Sequence, residues 1–202
     1  MPSRLRVRGI FKGVIKTMAR PLARSRVRPD TITYSTLLLA VLAALSLSLL
    51  QSQILYGILV FFVGLFDGVD GEVARLNQTA TKMGALSDSV VDKVAEAVVL
   101  ISIGVTYPTT DLFGIPVSIW VALCVFGWLM TSYVRARGES LGVTDLDVGV
   151  GGRSERLLTL VLFSVLWFLL WGLIVVTIMG LGTAAYRYYH YRRDLFNKSL
   201  TV

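Results

Sequence analysis

The run from Leu157 to Tyr186 contains no charged side chain, and four other apolar runs precede it. The earlier runs are 31–50, 54–66, 94–107 and 112–134. Apolar segments of about 18 or more residues are typical of transmembrane helices. Only helices or closed barrels can span lipid, because every backbone polar group must be satisfied within the structure. These runs are too long for barrel strands, so we expect an all-α integral membrane protein.

The last run is long for one transmembrane helix and short for two. It covers about 45 Å at 1.5 Å per residue, against a hydrocarbon core of about 30 Å. Lys and Arg cluster in four places, at 1–28, 75–93, 135–156 and 187–198, and are absent from the loops 51–53 and 108–111. Cytoplasmic loops carry the basic excess, so both termini are expected in the cytosol. The sequence therefore predicts a multi-pass cell-membrane protein with six transmembrane helices, the last two separated near Trp171 and Gly172.

The N-terminal segment 1–28 is basic and contains no acidic residue. Phe11 and Ile15 belong to a set of apolar side chains at helical spacing, with Lys12 and Lys16 between them. This pattern predicts an amphipathic helix that lies on the inner leaflet and attracts anionic lipid headgroups. We assign the basic charge to membrane contact and expect no nucleic-acid partner. The predicted divisions are this juxtamembrane segment at 1–28, a membrane domain at 29–195 and a tail at 196–202.

The stretch DGVDGEVARLNQTATKMGALSDSVVD, residues 67–92, places acidic residues beside apolar runs. The polar segment 76–81 inside it predicts a cytosolic turn between two antiparallel helices. Spacings of three and four residues keep side chains on one helix face, and counting outward from the turn gives both helices' aspartates a similar depth. The aspartates concerned are Asp67 and Asp70 before the turn and Asp88 and Asp92 after it.

A group of carboxylates within a membrane is unfavourable unless water or cations surround it. Each costs about 2.5–3.5 kcal/mol even on a lenient insertion scale, and like charges repel one another. Oxygen ligands favour Mg²⁺, Ca²⁺ or Mn²⁺, and four carboxylates suit two ions, an arrangement that clamps phosphates. The alternative is a cation channel or transporter. That function predicts acids through the full membrane depth, whereas here only Glu96 lies deeper.

The pattern D-x-x-D-G-x-x-A-R at 67–75, followed by G-x-x-x-D-x-x-x-D at 84–92, resembles the signature of the CDP-alcohol phosphotransferases. The resemblance implies a surface helix followed by six transmembrane helices, commonly in a homodimer. It implies transfer of a phosphatidyl-type group from CDP-archaeol or CDP-diacylglycerol to an alcohol, with release of CMP at a cytoplasmic active site.

The same resemblance assigns roles to residues of the signature. Two ions, Mg²⁺ or Mn²⁺, would be bound by Asp67, Asp70, Asp88 and Asp92. The carboxylate of Asp92 would also accept the proton of the attacking hydroxyl. The CDP-lipid would contact Thr31, Thr33, Gly71, Ala74, Arg75, Thr81 and Gly84.

The stretch SYVRARGESLGVTDLDVGVGGRSER, residues 132–156, is rich in arginine on the same predicted side as the aspartates. Arginine suits bidentate phosphate binding, although a cytosolic loop is also basic for topological reasons. The pattern resembles the branch that makes phosphatidylinositol phosphate or archaetidylinositol phosphate, which implies inositol 1-phosphate as acceptor. Its phosphate would contact Ser132, Arg135, Arg137, Arg153 and Arg156. Arg135 stands where that branch often has lysine, and glycerol 3-phosphate, which needs the same arginines, is the alternative acceptor.

Overall fold

The computed structural model describes residues 7–25, 27, 29–149 and 151–199. Within them the chain forms seven helices and one two-stranded hairpin. The helices are α1 (Val7–Arg24), α2 (Pro29–Ser48), α3 (Gln53–Leu76), α4 (Lys82–Thr106), α5 (Val117–Ser140), α6 (Arg153–Val165) and α7 (Leu169–Ser199). The strands are β1 (Asp111–Leu112) and β2 (Ile115–Pro116). The predicted segments 1–28 and 196–202 therefore lie partly outside the described residues.

Four helices, α2, α3, α5 and α7, are long and apolar enough to cross a membrane. Helix α4 has 25 residues but carries several charged side chains. Helix α6 has 13 residues, which is about 20 Å and less than the hydrocarbon thickness. The expected all-helical architecture is confirmed, whereas six transmembrane helices stay a prediction.

Helix α2 lies between the two helices that carry the aspartates. It packs extensively against α3 and α4, while α3 and α4 make few direct contacts. Helix α5 packs against α7, and α6 packs against α3 and α7. Buried apolar side chains from all six helices after α1 form one core, which includes Tyr56, Leu100, Trp128, Leu160 and Leu173. The expected α3–α4 hairpin is therefore held together mainly through α2.

Gln53 ties the end of the bundle that lies farthest from the aspartates. Its Nε2 donates to the Tyr107 hydroxyl at 3.1 Å, and its Oε1 accepts from the Leu169 N–H at 3.3 Å. Its backbone carbonyl accepts from Ser164 Oγ at 2.5 Å. One residue thus joins the start of α3, the end of α4 and the turn between α6 and α7.

The last apolar run is divided at 166–168, where Trp167 has a φ of 65°. The prediction of two helices is confirmed, but the predicted position of the break near Trp171 and Gly172 is wrong. Gly172 lies inside α7, where an added Cβ would come 2.6 Å from the Cβ of Phe163. The glycine permits close packing between α6 and α7, and this role in packing explains its presence in the run.

A short hairpin precedes α5, in a segment where the sequence predicts loop followed by helix. Strand β1 pairs antiparallel with β2, and the two residues between them, Phe113 and Gly114, have φ values of 58° and 73°. Positive φ at both positions is typical of a two-residue type I′ turn. The apolar run at 112–134 consequently becomes helical only at Val117.

Helix α1 is amphipathic, in agreement with the sequence pattern, and its apolar side packs on α3. Ile15 and Ala19 join a buried group with residues of α3, and the rings of Phe11 and Phe61 meet edge to face at 5.7 Å. The exposed side carries Lys12, Lys16, Arg20 and Arg24. Helix α1 therefore packs along α3 on both sides of Asp67, from Phe61 to Val73.

Candidate active site

Three aspartates from α3 and α4 converge at one place. Carboxylate oxygens of Asp67, Asp88 and Asp92 lie within 4.8 Å of one another. Asp88 and Asp92 are four residues apart, so they share the face of α4 that Asp67 approaches. Oxygen donors at this spacing fit a hard divalent cation such as Mg²⁺ or Mn²⁺. The structure thus brings together three of the four acids that the sequence singled out.

Asp70 lies beside this group and is held by α2. Its carboxylate is buried, with Oδ2 accepting from Thr33 Oγ1 at 2.8 Å and Oδ1 accepting from the Gly71 N–H at 2.6 Å. Its charge is close enough to Asp88 and Asp67 for repulsion. We call the four residues Asp67, Asp70, Asp88 and Asp92 the acidic cluster. Thr33 therefore orients one member of the cluster from α2.

Arg153, the first residue of α6, enters the acidic cluster. Its Nη1 contacts Oδ1 of Asp67 and lies 2.5 Å from Oδ2 of Asp92. Its Nε lies 2.8 Å from Oε1 of the buried Glu96, which also accepts from Lys93 Nζ at 2.7 Å. The two cations offset part of the negative charge that burial makes unfavourable. Sequence reasoning assigned Arg153 to a phosphate and gave Glu96 no role, because nothing local to either residue indicates their contact.

A cavity of about 820 Å³ opens beside Arg153, and its volume is within the range of small-molecule sites. It lies between α4, α5, α6, α7 and the loop residues 141–149 and 151–152, which we call the cavity loop. Four of the five residues predicted to bind the acceptor phosphate line it, namely Ser132, Arg135, Arg153 and Arg156. Asp92 lines it as well, so the acidic cluster and the arginines face a common space.

Arg156 is the most deeply buried of the cavity's arginines, with 1% of its surface exposed. Its guanidinium carbon lies 4.5 Å from the centre of the Trp128 ring, which is a cation–π contact. Its Nε and Nη1 atoms have no hydrogen-bond partner among the described residues. A buried cation with unused donors at a cavity wall favours an anion in that cavity.

Arg187 of α7 also lines the cavity, and sequence reasoning missed it. It is buried, and it donates from Nε to the Val148 carbonyl at 3.0 Å and from Nη1 to the Thr131 carbonyl at 2.9 Å. In the sequence it is one of several basic residues after the last apolar run. Such residues ordinarily mark the cytosolic side of a membrane protein, and only the packing of α7 against α5 distinguishes this one.

The structure does not bring Arg137 to the cavity. Its side chain is exposed near the end of α5, and its Nη1 lies 3.4 Å from Ser140 Oγ. Arg135, two residues earlier, lines the cavity and lies 3.4 Å from a carboxylate oxygen of Asp147. Side chains two residues apart on a helix do not share a face, which separates these two arginines.

The residues predicted to contact the CDP-lipid belong to α2, α3, α4 and the turn between α3 and α4. Gly71 adjoins open space, since an added Cβ would have no atom within 4 Å. Thr81 caps α4, with its hydroxyl accepting from the Gly84 N–H at 3.0 Å. Arg75 pairs with Glu72 at 2.6 Å. Of the whole set, Thr33 is buried, Ala74 and Gly84 are half-buried, and Thr31, Gly71, Arg75 and Thr81 are exposed.

An apolar groove of about 60 Å³ also reaches the acidic cluster, between α1, α3 and α6. Its charged lining residues are Asp67 and Arg153, and its apolar ones include Phe11, Ile15, Phe61, Leu157 and Val161. Arg153 lines both the groove and the cavity. Arg153 therefore borders both an apolar space and a polar one that contains several arginines.

Comparison with known proteins identifies the family. The family described as CDP-alcohol phosphatidyltransferase matches residues 26–186 of this chain. The chain belongs to the CDP-alcohol phosphatidyltransferase family. The matched span contains the whole acidic cluster and every residue predicted to bind the acceptor phosphate, and it confirms the expected transferase activity class.

Relatives of this CDP-alcohol phosphatidyltransferase include archaeal enzymes of inositol-lipid synthesis. The archaetidylinositol phosphate synthase of Methanothermobacter thermautotrophicus is 32% identical over 185 residues, covering 88% of this chain and 90% of the relative. The archaetidylinositol phosphate synthase of Pyrococcus horikoshii is 28% identical over 190 residues, covering 94% of this chain and 97% of the relative.

A solved structure of Mycobacterium tuberculosis phosphatidylinositol phosphate synthase with CDP-DAG bound has a similar fold. Its TM-score is 0.74 at 24% identity, over 88% of this chain and 93% of that chain. The same mycobacterial enzyme, in complex with manganese and citrate, has a TM-score of 0.75 at 24% identity and covers 88% of both chains. The chain therefore shares its fold with these mycobacterial structures.

Proposed function

We propose that this enzyme transfers a phosphatidyl-type group from a CDP-lipid to a hydroxyl of inositol 1-phosphate and releases CMP. The observation that carries the proposal is the position of Arg153, which borders an apolar groove beside Asp67 and a basic cavity beside Asp92. A transferase that joins a lipid to a water-soluble alcohol needs two such spaces at one reacting centre.

The acidic cluster is the proposed site of the CDP-lipid pyrophosphate. Two divalent ions, Mg²⁺ or Mn²⁺, held by its four carboxylates would neutralise the phosphate oxygens and stabilise the departing CMP. The chain orients these ligands, since Thr33 holds Asp70 and the spacing along α4 directs Asp88 and Asp92 to one side. The proposed contacts to the nucleotide and its phosphates are Thr31, Gly71, Ala74, Arg75, Thr81 and Gly84.

The arginines of the cavity are the proposed site of the acceptor phosphate. Arg156 presents unused donors, and arginine binds phosphate oxygens in a bidentate manner. Arg187 and Arg153 line the cavity from α7 and α6, and Ser132 and Arg135 line it from α5. This group of arginines favours a phosphorylated acceptor over an uncharged alcohol or an amino acid.

Carboxylates in the same cavity support inositol 1-phosphate over glycerol 3-phosphate. Glu139, Asp147 and Glu155 line the cavity together with the arginines, and carboxylates accept hydrogen bonds from hydroxyl groups. A ring with several hydroxyls can use these acceptors while its phosphate contacts the arginines. Glycerol 3-phosphate offers fewer hydroxyls and would leave more of the lining polar groups without ligand contacts.

In the proposed reaction, the acceptor hydroxyl attacks the β-phosphorus of the CDP-lipid. A phosphorus–oxygen bond to the acceptor forms, and the bond to CMP breaks with its electron pair leaving on CMP. Asp92 lines the acceptor cavity, and its carboxylate would take the hydroxyl proton as a general base. Arg153 contacts Asp92 and would orient that carboxylate toward the cavity.

The test measures CMP release by purified protein with CDP-archaeol or CDP-diacylglycerol, Mg²⁺ or Mn²⁺, and each candidate acceptor. We expect release that depends on inositol 1-phosphate and stops when EDTA is added. Asp92→Asn is expected to lower the rate at least about 100-fold, as loss of a general base does, with an unchanged melting temperature. If glycerol 3-phosphate supports CMP release and inositol 1-phosphate does not, glycerol 3-phosphate replaces it as the proposed acceptor. If neither phosphorylated alcohol supports CMP release, the proposal is rejected.

A further inference from the structure

We infer that α7, from Thr183 onward, holds the cavity loop in position through hydrogen bonds. Thr183 and Tyr191 are then positioning residues for acceptor binding. The inference rests on the proposed function, because it concerns the cavity assigned to the acceptor. It identifies two residues that affect the reaction without contacting either substrate.

Four side chains of α7 bond to backbone atoms of the cavity loop. The pairs are Thr183 with the Gly151 N–H at 3.0 Å, Arg187 with the Val148 carbonyl at 3.0 Å, Tyr191 with the Leu146 carbonyl at 2.8 Å, and Lys198 with the Gly142 carbonyl at 2.9 Å. Residue numbers rise along α7 as they fall along the loop. The loop therefore runs antiparallel along the helix, attached at four points.

The spacing of the contacts matches the geometry of a helix. Thr183, Arg187 and Tyr191 follow one another at intervals of four residues, which places them on one face of α7. From Thr183 to Lys198 the helix rises about 22 Å, and the loop from 142 to 151 can span at most about 30 Å. The cavity loop thus follows α7 over most of the length that it can span.

Glycines allow the loop to approach α7 closely at Thr183. Gly149 has a φ of 97°, a conformation that glycine adopts without strain, and an added Cβ there would lie 2.8 Å from Thr183 Cγ2. At Gly151 an added Cβ would lie 2.6 Å from Thr183 Oγ1. The ring of Tyr191 packs in the same way, since a Cβ at Gly138 would lie 2.6 Å from its Cδ2. Shape and hydrogen bonding therefore hold the loop in one position.

The cavity loop forms part of the proposed acceptor site. Four of its residues line the cavity, namely Asp147, Val148, Gly149 and Gly152. Arg153 follows directly and Arg156 lies one turn later on α6, so the loop also sets where α6 begins. Among the residues that the structure describes, neither Thr183 nor Tyr191 lines the cavity. Their effect on the acceptor must therefore pass through the loop.

The first test is Tyr191→Phe, which removes one hydroxyl and keeps the packed ring. A neutral hydrogen bond contributes about 0.5–1.5 kcal/mol, so we expect the KM for inositol 1-phosphate to rise about 2- to 10-fold. The KM for the CDP-lipid is expected to change less than about twofold. Tyr189→Phe, at an exposed position of the same helix, is the matched control and should leave both values unchanged.

The second test is Thr183→Val, which keeps the shape of the side chain and removes the oxygen that accepts from Gly151. Hydrogen–deuterium exchange of peptides from the cavity loop is measured in this variant and in Tyr191→Phe, without substrate. Faster exchange than in wild type and in Tyr189→Phe is expected for both. This readout does not depend on which acceptor the enzyme uses.

Two outcomes would overturn the inference. One is unchanged loop exchange in both variants, and the other is an equal rise in KM for acceptor and CDP-lipid, or a rise for neither. Failure of the proposed function gives a different result, because wild-type enzyme would then release no CMP with a phosphorylated alcohol. The two proposals are therefore tested separately.

Discussion

Arg156 combines burial, a stacked aromatic partner and unused hydrogen-bond donors in one side chain. Its guanidinium lies on Trp128, and two of its nitrogens have no partner among the described residues. A charge in this environment is stabilised most by an anionic ligand that brings its own acceptors. Arg156 is therefore the residue whose loss should affect acceptor binding most directly.

The residue-scale prediction compares Arg156→Gln with Arg137→Gln. Hydrogen bonds that involve charged groups contribute about 1.5–3 kcal/mol, so Arg156→Gln should raise the acceptor KM at least about 10-fold. Arg137 is exposed and lies away from the cavity lining, so Arg137→Gln should stay within about twofold of wild type. Both are measured from CMP release at varied acceptor concentration. Similar KM values for the two variants would contradict the assignment of Arg156.

The sequence alone could not show that Arg156 lines the cavity and that Arg137 does not. Arg135, Arg137, Arg153 and Arg156 fall in one basic stretch, and both phosphate binding and a cytosolic location account for such a stretch. Helical geometry separates Arg135 from Arg137 only after the cavity-facing side of α5 is known. The acids were more predictable, because a cost of several kcal/mol for each charge leaves few alternatives to a shared site.

At the scale of elements, the crossing of α5 and α7 determines the shape of the cavity. An added Cβ at Gly180 would lie 2.8 Å from Trp128 Cδ1. The hydroxyl of Thr131 donates to the Gly180 carbonyl at 3.0 Å, and Trp128 Nε1 donates to the Val176 carbonyl at 3.2 Å. Small residues permit such backbone contact between membrane helices. This crossing places the Trp128 ring against the Arg156 guanidinium. It also brings Arg187 to the cavity.

The element-scale prediction uses Gly180→Ala, with Gly182→Ala as control on the same helix. Overpacking costs about 1–3 kcal/mol, and each kcal/mol corresponds to about 2–4 °C for a chain of this size. Gly180→Ala should therefore lower the melting temperature in detergent by about 2–12 °C. Gly182 has no atom within 4 Å of an added Cβ, so Gly182→Ala should match wild type or exceed it slightly. Equal losses in both variants would show that the α5–α7 crossing is not tightly packed.

The sequence predicted that the helices exist more reliably than it predicted where each helix ends. Long apolar runs require hydrogen-bonded helices in lipid, and the polar segment 76–81 marked the turn where α3 ends at Leu76 and α4 begins at Lys82. The break at 166–168 has no glycine or proline to mark it. Gly172 and Phe163, which lie on opposite sides of the break, pack closely against each other.

At the scale of the whole molecule, the basic loops imply one orientation in the membrane. The turn 77–81 and the cavity loop lie at the end of the bundle that holds the acidic cluster, and the β-hairpin lies at the other end. The positive-inside rule predicts six crossings with both termini in the cytosol. This prediction requires α4 to cross the membrane despite its charged side chains, and α6 to cross it despite a length of 13 residues.

The whole-molecule prediction concerns labelling of introduced cysteines by a membrane-impermeant maleimide. Thr109→Cys and Phe168→Cys should react in intact cells, whereas Thr144→Cys should react only in inverted vesicles. The native Cys124 is fully buried and should stay unlabelled, so wild type is the control. Reaction of Phe168→Cys from the same side as Thr144→Cys would mean that α6 does not cross the membrane.

Local pattern alone determined that this chain is helical, that its N-terminal helix is amphipathic, and that its aspartates share helix faces. These properties depend on residues a few positions apart, and helix geometry relates such residues directly. The tertiary structure decided that α2 separates α3 from α4, that Arg153 reaches Asp92 across 61 residues, and that Arg187 reaches Thr131 across 56. Contacts at such separations depend on how whole helices pack, and packing is the sum of many small interactions that no short stretch of sequence contains.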